Sequence, residues 1–528
     1  MYALAIYQCP HTRGVRRVHL WVDGRLTKPR DTMDDGKEEI ILNLGCAYPN
    51  SLHEKDGSVL FLIKGEREKK LVVIGDGSAV FQELKGGKGS HQGLVVKICD
   101  LSVANSHVIR KHFPYTRPVS LRKFDATIGV GDRLGVASPG HIRVIRDCNV
   151  GPILAQQSIR ELALTGRTFE GVLSDAVWAV FQEGYRSGFG ADGDHLKSMD
   201  EVKLALDTGY TMITLDCSEH INDIEGFSDD AVERLYMEMN KGTRDRLESR
   251  FLSEEFKLES GFTLTFSQDA LRENAVIYQK AIDFAINVFD TMIKPCNQDI
   301  DFEMSIDETS TPTDPLAHFF VALQLSEAGV DLYSVAPRFC GEFQKGIDYI
   351  GNLQQFREEL QAHQRIASHF DYKLSVHSGS DKFSVFPIIG EETKGHVHVK
   401  TAGTNWLEAI RVIIHRDPGL YRELHTFALE HLTEARRYYH VTLDTGGIPD
   451  VLELRDDELE DLMSQNDARQ LMHITYGVIL QAKDGSGDCR FRDRIYRCLY
   501  ENEALYYEFL ARHIGNHLKA LGLQGSTS

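Results

Sequence analysis

The chain has 528 residues, 42% of them hydrophobic and 26% charged, which supplies apolar material for several packed units and no compositional case for disorder. Asp and Glu number 78 against 59 Lys and Arg, and the resulting formal charge of −19 repels phosphate backbones, so nucleic acid is excluded as the expected partner. The 9 cysteines form no Cys-x-x-Cys pair, residues 1–7 lack the features of a signal peptide, and no apolar run reaches the roughly 18 residues of a membrane helix. The expectation is a cytoplasmic protein with buried thiols, no membrane association, and either a monomeric or a homo-oligomeric state.

Short β-branched runs at 40–42, 59–63, 71–74 and 94–98, separated by Gly, Asp and charge, predict an N-terminal sheet-containing α/β domain over 1–123. The glycine-rich stretch 85–90 within it has no helix N-cap or phosphate-loop spacing after it and reads as a mobile surface loop. Beyond Phe124 strand-like runs alternate with helix-length amphipathic segments. The runs are 126–131, 152–157, 188–194, 211–217, 300–306, 331–337, 373–377 and 397–402, and helical patterns at 169–185, 316–328 and 353–370 lie between them. Eight such units predict a (β/α)8 TIM-like barrel over 124–405, with an acidic helical insertion at about 219–260. Residues 406–528 predict a C-terminal helical region through 407–431, 452–463, 468–480 and 501–521.

Barrel active sites lie at the C-terminal ends of the strands, and here almost every end carries a polar group. In order they are Asp132 and Arg133, Gln156 and Gln157, Asp194 and His195, Asp216, Glu303 and Asp307, Arg338 and Glu342, His377, and Lys400 with Thr401. Each alone is explained by a helix cap or an ion pair; their recurrence at one rim points to a site. Imidazole and carboxylate together suit Zn, Mn, Ni or Fe as a divalent cation, with His195, His377 and Glu342 as the chosen ligands. The two-residue strand period points Asp194 and His195 different ways, one for metal and one for substrate. His396 and His398 fall at the bottom of the barrel and read as structural, and His363, His369 and His415 as helix-surface histidines.

At these positions the chain resembles the tagaturonate epimerase family. The matching segments are 131–135 (GDRLG), 155–158 (AQQS), 181–185 (FQEGY), 190–195 (GADGDH), 301–309 (DFEMSIDET), 346–349 (GIDY), 377–384 (HSGSDKFS) and 399–404 (VKTAGT), from about Asp132 to near the C-terminus. The resemblance implies a divalent-metal enzyme that interconverts D-tagaturonate and D-fructuronate, with Asp194 as proton acceptor, Glu303 as proton donor, and His195 and His377 on the metal. It puts the third ligand only within 341–345, where Glu342 is chosen on chemical grounds.

The two ketouronates differ at the carbon β to the ketone, which enolisation does not invert, so retro-aldol cleavage and re-addition is the expected route. D-tagatose and D-fructose share the same stereochemical relation and stand as further substrates. The substrate carboxylate needs a cation, sought among Arg133, Arg338, Lys345, Lys382 and Lys400, with Arg338 and Lys382 first and with Gln157 and Asp132 as further substrate contacts. A metal-dependent aldose–ketose isomerase on the same barrel is the alternative enzyme, and a catalytically silent binding scaffold the alternative of another class.

Overall fold

The structure, a computed structural model, describes residues 2–8, 16–22, 25–26, 46–91, 93–258, 261–307, 309, 311–403 and 405–524. The predicted run 40–42 lies outside the described residues. The chain divides into two compact units, residues 1–117 with 174–187, and residues 118–173 with 188–528.

The first unit contains two antiparallel sheets. One joins β1 (Tyr2–Gln8), β2 (Arg16–Val22) and β3 (Arg25–Leu26). The other joins β4 (His53–Lys55), β5 (Ser58–Lys64), β6 (Lys69–Ile74), β7 (Gly87–His91) and β8 (Leu94–Asp100) in the order β4-β5-β6-β8-β7. Asp56 and Gly57, both at positive φ, make the two-residue turn that brings Lys55 opposite Ser58. Phe61, Val72, Ile74 and Val96 form this sheet's core cluster. The stretch expected to be a mobile loop is edge strand β7, because its backbone pairs with β8 from Gly87↔Ile98 to His91↔Leu94.

The second unit is built on a closed barrel of eight parallel strands, and all eight predicted runs are among them. They are β9 (Ala126–Gly129), β10 (Val150–Ser158), β11 (Gly190–Leu196), β12 (Met212–Asp216), β15 (Asp301–Ile306), β16 (Ser334–Pro337), β17 (Lys373–Val376) and β18 (Val397–Lys400). Between β12 and β15 the insertion contains helices Asp229–Glu238 and Lys241–Phe251, the hairpin of β13 (Phe256–Lys257) and β14 (Thr263–Leu264), and the long helix Gln268–Val288. Phe251 and Phe256 anchor it, with ring centroids 4.9 Å from Phe320 and 4.8 Å from Phe319 of the barrel helix Pro315–Glu327.

Alternation along the strands decides what the barrel encloses. Ile213 and Leu215, Phe302 and Met304, Leu374 and Val376, and Val397 and Val399 occupy one face of their strands and are buried. The intervening residues Thr214, Glu303, Ser375 and His398 are polar and equally buried. Because successive side chains point to opposite sides, the apolar set packs outward and the polar set fills the interior.

Pro418 breaks the predicted helix 407–431 into Asn405–Arg416 and Pro418–Glu430, with Asp417 capping the second by accepting from the Leu420 amide. These helices, Asn466–Ile474, Tyr476–Gln481, Arg492–Glu501 and Glu503–Ala520 share one apolar cluster that also takes in Leu134 and Leu164 of the barrel. His363, expected on a helix surface, is fully buried: its Nδ1 lies 2.9 Å from that of His318, whose Nε2 lies 2.7 Å from the Tyr372 hydroxyl. Every described cysteine is a free thiol, and Cys46 is exposed rather than buried. Among the described residues no helix is long and apolar enough to cross a membrane.

Trp406 begins the helix after β18, is fully buried, and donates its indole N–H to the Met472 carbonyl at 2.7 Å. Trp406→Ala is expected to cost about 3–5 kcal/mol through cavity formation and the stranded carbonyl, read as a lowered midpoint in chemical denaturation.

Candidate active site

The polar interior converges on Lys400, the last residue of β18. Its Nζ lies 2.7 Å from Asp194 Oδ1, 3.0 Å from Asp192 Oδ2 and 3.0 Å from Glu303 Oε1, and donates to Thr214 Oγ1 at 2.6 Å. These partners come from β11, β12 and β15, so one ammonium ties three strands to β18 across the lumen. Burial opposes its charge, but the three carboxylates outweigh that and hold it well above the ordinary lysine range. Thr214 also donates towards Asp192, and Gln156 Nε2 donates to Asp192 Oδ2 at 3.1 Å. Gly129 on β9 makes room for that glutamine, since a Cβ there would collide with its amide.

Glu303 is wholly enclosed. Oε1 accepts from His377 Nε2 at 2.8 Å and Oε2 from the Ser334 hydroxyl at 2.5 Å. Burial raises the pKa of both Asp194 and Glu303, yet Lys400 and the neighbouring histidines prevail and hold both carboxyls well below the usual range. Asp192 goes the other way, pushed up by burial that Lys400 only partly offsets.

The second centre lies around His195 and His377, whose rings are 4.9 Å apart. Ligand atoms of His195, Asp307 and His377 all fall within 4.8 Å of one another. With Nε2 engaged by Glu303, the Nδ1 of His377 is buried without a hydrogen bond and stands 3.1 Å from Asp307 Oδ2. Asp216 Oδ2 lies 3.5 Å from His195 Nδ1. Burial disfavours charge on His377, but Asp307 and Glu303 outweigh it and raise its pKa to about 10: the pocket between these carboxylates calls for a positive charge. The expectation that Asp194 and His195 point apart does not describe this strand end. The register slips between Gly193 and Leu196, His195 sits at φ 52°, and both side chains line the same cavity.

That cavity has a volume of about 470 Å³ at the C-terminal mouth of the barrel, and Arg133, Asp194, His195, Arg338, Glu342, His377 and Lys400 are among its lining residues. Glu342 stands in the wall with its backbone paired to Ile350, and the group converging on the two histidines has Asp307 as its carboxylate. Three other predicted contacts bond to the main chain, Gln157 through its amide N–H alone, its buried Oε1 having no partner. Asp132 accepts from the amides of Leu134, Gly135, Ala137 and Ser138 and so shapes the loop after β9. Gln157 donates to the Asp132 carbonyl at 3.3 Å. Lys382 donates to the carbonyls of Gln344, Ile347 and Ser380, which uses all three of its N–H groups. Asp192 and Thr214 went unnoticed in sequence, although the i, i+2 spacing of Asp192 with Asp194 places both on one strand face. His398, read as structural, points into the layer below Lys400, where Nδ1 lies 3.0 Å from Thr127 Oγ1 and burial lowers its pKa to about 3.

The sequence profile of the tagaturonate epimerase family matches residues 48–521, so the likeness begins well before Asp132 and takes in most of the N-terminal segment. The chain is 40% identical over 481 residues to the tagaturonate/fructuronate epimerase of Thermotoga maritima, covering 90% of this chain and 96% of that protein. It superposes on the glycerol-complexed crystal structure of fructuronate-tagaturonate epimerase UxaE from Cohnella laeviribosi with a TM-score of 0.87 at 49% identity, covering 90% of this chain and 96% of that one. The native crystal structure of the Cohnella enzyme matches equally, at a TM-score of 0.87. The chain belongs to the tagaturonate epimerase family and is a carbohydrate epimerase.

Proposed function

We propose that this chain interconverts D-tagaturonate and D-fructuronate by inverting the carbon β to the ketone, with Asp194, Lys400 and Glu303 handling the hydroxyl proton. The observation that carries the reading is the Lys400 cluster beside a His195–Asp307–His377 group in the mouth of a barrel whose relatives bear that activity in their names.

The residues present fit a divalent cation. His377 Nδ1 is a buried nitrogen without a hydrogen bond, Asp307 faces it, and Glu303 and Asp216 stand behind the two histidines as carboxylates that orient ligand imidazoles do. His195, Asp307 and His377 would hold the ion, which when bound acts as a Lewis acid on a ketone and its neighbouring hydroxyl.

The chain's own groups account for the proton. Asp194, ionised and facing the cavity, accepts the proton of the hydroxyl on the carbon to be inverted. Loss of that proton lets its electron pair form the aldehyde C=O as the carbon–carbon bond breaks, and the pair of the broken bond moves into the ketone to give the enediolate that later re-adds. The aldehyde turns over and the bond re-forms on its other face. Glu303 is ionised at rest and enclosed beneath the cavity, so it becomes a donor only once a proton reaches it. Lys400 Nζ touches both carboxylates and is the connection: it gives one of its own protons to Glu303 and is reprotonated by Asp194, and the reverse transfer, through Lys400 or His377, returns a proton to the new alkoxide. Each turnover ends with every group in its starting state.

Asp194→Asn is expected to abolish turnover of fructuronate while leaving bound-metal stoichiometry unchanged by elemental analysis; normal activity in this variant removes Asp194 from the chemistry. Turnover in heavy water is expected to leave every carbon-bound hydrogen of the product in place by mass spectrometry, whereas deuterium on carbon signals enediol isomerisation instead. Lys400→Met strands three buried carboxylates and is expected to cost about 3–5 kcal/mol of stability as well as activity, read by denaturation and by assay. A parallel assay of tagaturonate, fructuronate, tagatose and fructose tests the substrate class directly.

A further inference from the structure

The cavity's cations are not equally free to meet a ligand. Lys400 is enclosed by carboxylates and Lys382 by carbonyls. Arg133, on the loop after β9, is held differently. Its Nε and Nη2 donate to a single oxygen of Glu161, at 2.9 and 2.6 Å, and its guanidinium lies 4.0 Å from the ring centroid of Tyr476. The side chain lines the cavity and is only 2% exposed, yet Nη1 has no hydrogen-bond partner. A buried guanidinium edge left open is costly unless something accepts from it. Close by, both ring nitrogens of buried His473 also lack partners. Gly403, a cavity residue, separates the two: a Cβ there would collide with His473 Nε2 and lie 3.7 Å from Arg133 Nη2.

We propose that the Arg133 guanidinium and the recess at Gly403 beside it bind the substrate carboxylate and select ketouronates over neutral ketohexoses. Stacking on Tyr476 and pinning by Glu161 fix the guanidinium plane, so the unpartnered Nη1 is held in place for an acceptor. Glu161 offsets part of the charge, while Arg160, Arg338 and Lys345 in the same cavity supply further positive potential. The placement also suits the substrate. Arg133 follows β9, whereas His195 lies at the end of β11 and Asp307 and His377 follow β15 and β17, and the ketone and carboxylate of a ketouronate stand at opposite ends of its chain.

The inference rests on the proposed ketouronate activity, which wild-type turnover of fructuronate tests separately: no product from metal-loaded wild-type enzyme sinks that reading whatever Arg133 does. Given turnover, Arg133→Lys and Arg133→Met, checked for folding by circular dichroism, are expected to raise KM for fructuronate about 100-fold with kcat lowered less than about 10-fold, as for loss of a charge-assisted contact far from the reacting carbon. Gly403→Ala fills the recess without removing the arginine and is expected to raise KM in the same sense, which decides the matter should both Arg133 variants fail to fold. An unchanged KM in folded variants, or a rise found only in Arg338→Met, overturns the proposal.

Discussion

A lysine ammonium buried among three carboxylates is the constraint on which the second unit depends. The lumen of a barrel of this kind is usually filled by layers of branched apolar side chains. Here the central layer is ionic, and every charge in it has been removed from water at considerable cost. Lys400 makes the arrangement tolerable because it reaches Asp192, Asp194 and Glu303 at once, with Thr214 completing its coordination. The same contacts that tie β18 across the lumen to β11, β12 and β15 also bear on the protonation of the site, since the charge of Lys400, together with the neighbouring histidines, holds the carboxyls of Asp194 and Glu303 well below the usual range.

Around this cluster, local backbone irregularity decides what faces the cavity. The slip after Gly193 and the left-handed conformation of His195 bring that imidazole to the same side as Asp194, against the alternation of a regular strand. Ser378 and Asp381, at φ 50° and 60°, turn the chain sharply after His377. Lys382 then fastens this turn to the 344–347 loop through three carbonyls. Asp132 performs the equivalent task after β9, and so sets the position of Arg133. Asp132 and Lys382, which look in sequence like substrate contacts, spend their side-chain hydrogen bonds on shaping these loops.

The eight strands were legible in the sequence because each is a short apolar run between turn signals, and burial of alternate residues is a one-dimensional pattern. Asp194, His195, Glu303 and His377 were legible from their strand ends and from the motifs around them. Asp307 and Glu342 both stand at the rim in sequence, but distance along a loop does not reveal that Asp307 is the carboxylate that turns back towards the His377 imidazole. Edge strand β7 read as a loop because a glycine-rich segment with little apolar content forms a strand only by pairing with a neighbour already in place.

Sequence alone determined the architecture, the polar rim and the family. The tertiary structure decided the use made of each polar group. A lysine or aspartate at a strand end is available to a ligand only when the backbone and its neighbours leave its hydrogen bonds unspent, and that balance is settled by parts of the chain hundreds of residues away. Lys382 and Asp132 have none to spare, Lys400 is spent on three carboxylates, and Arg133 keeps one edge open.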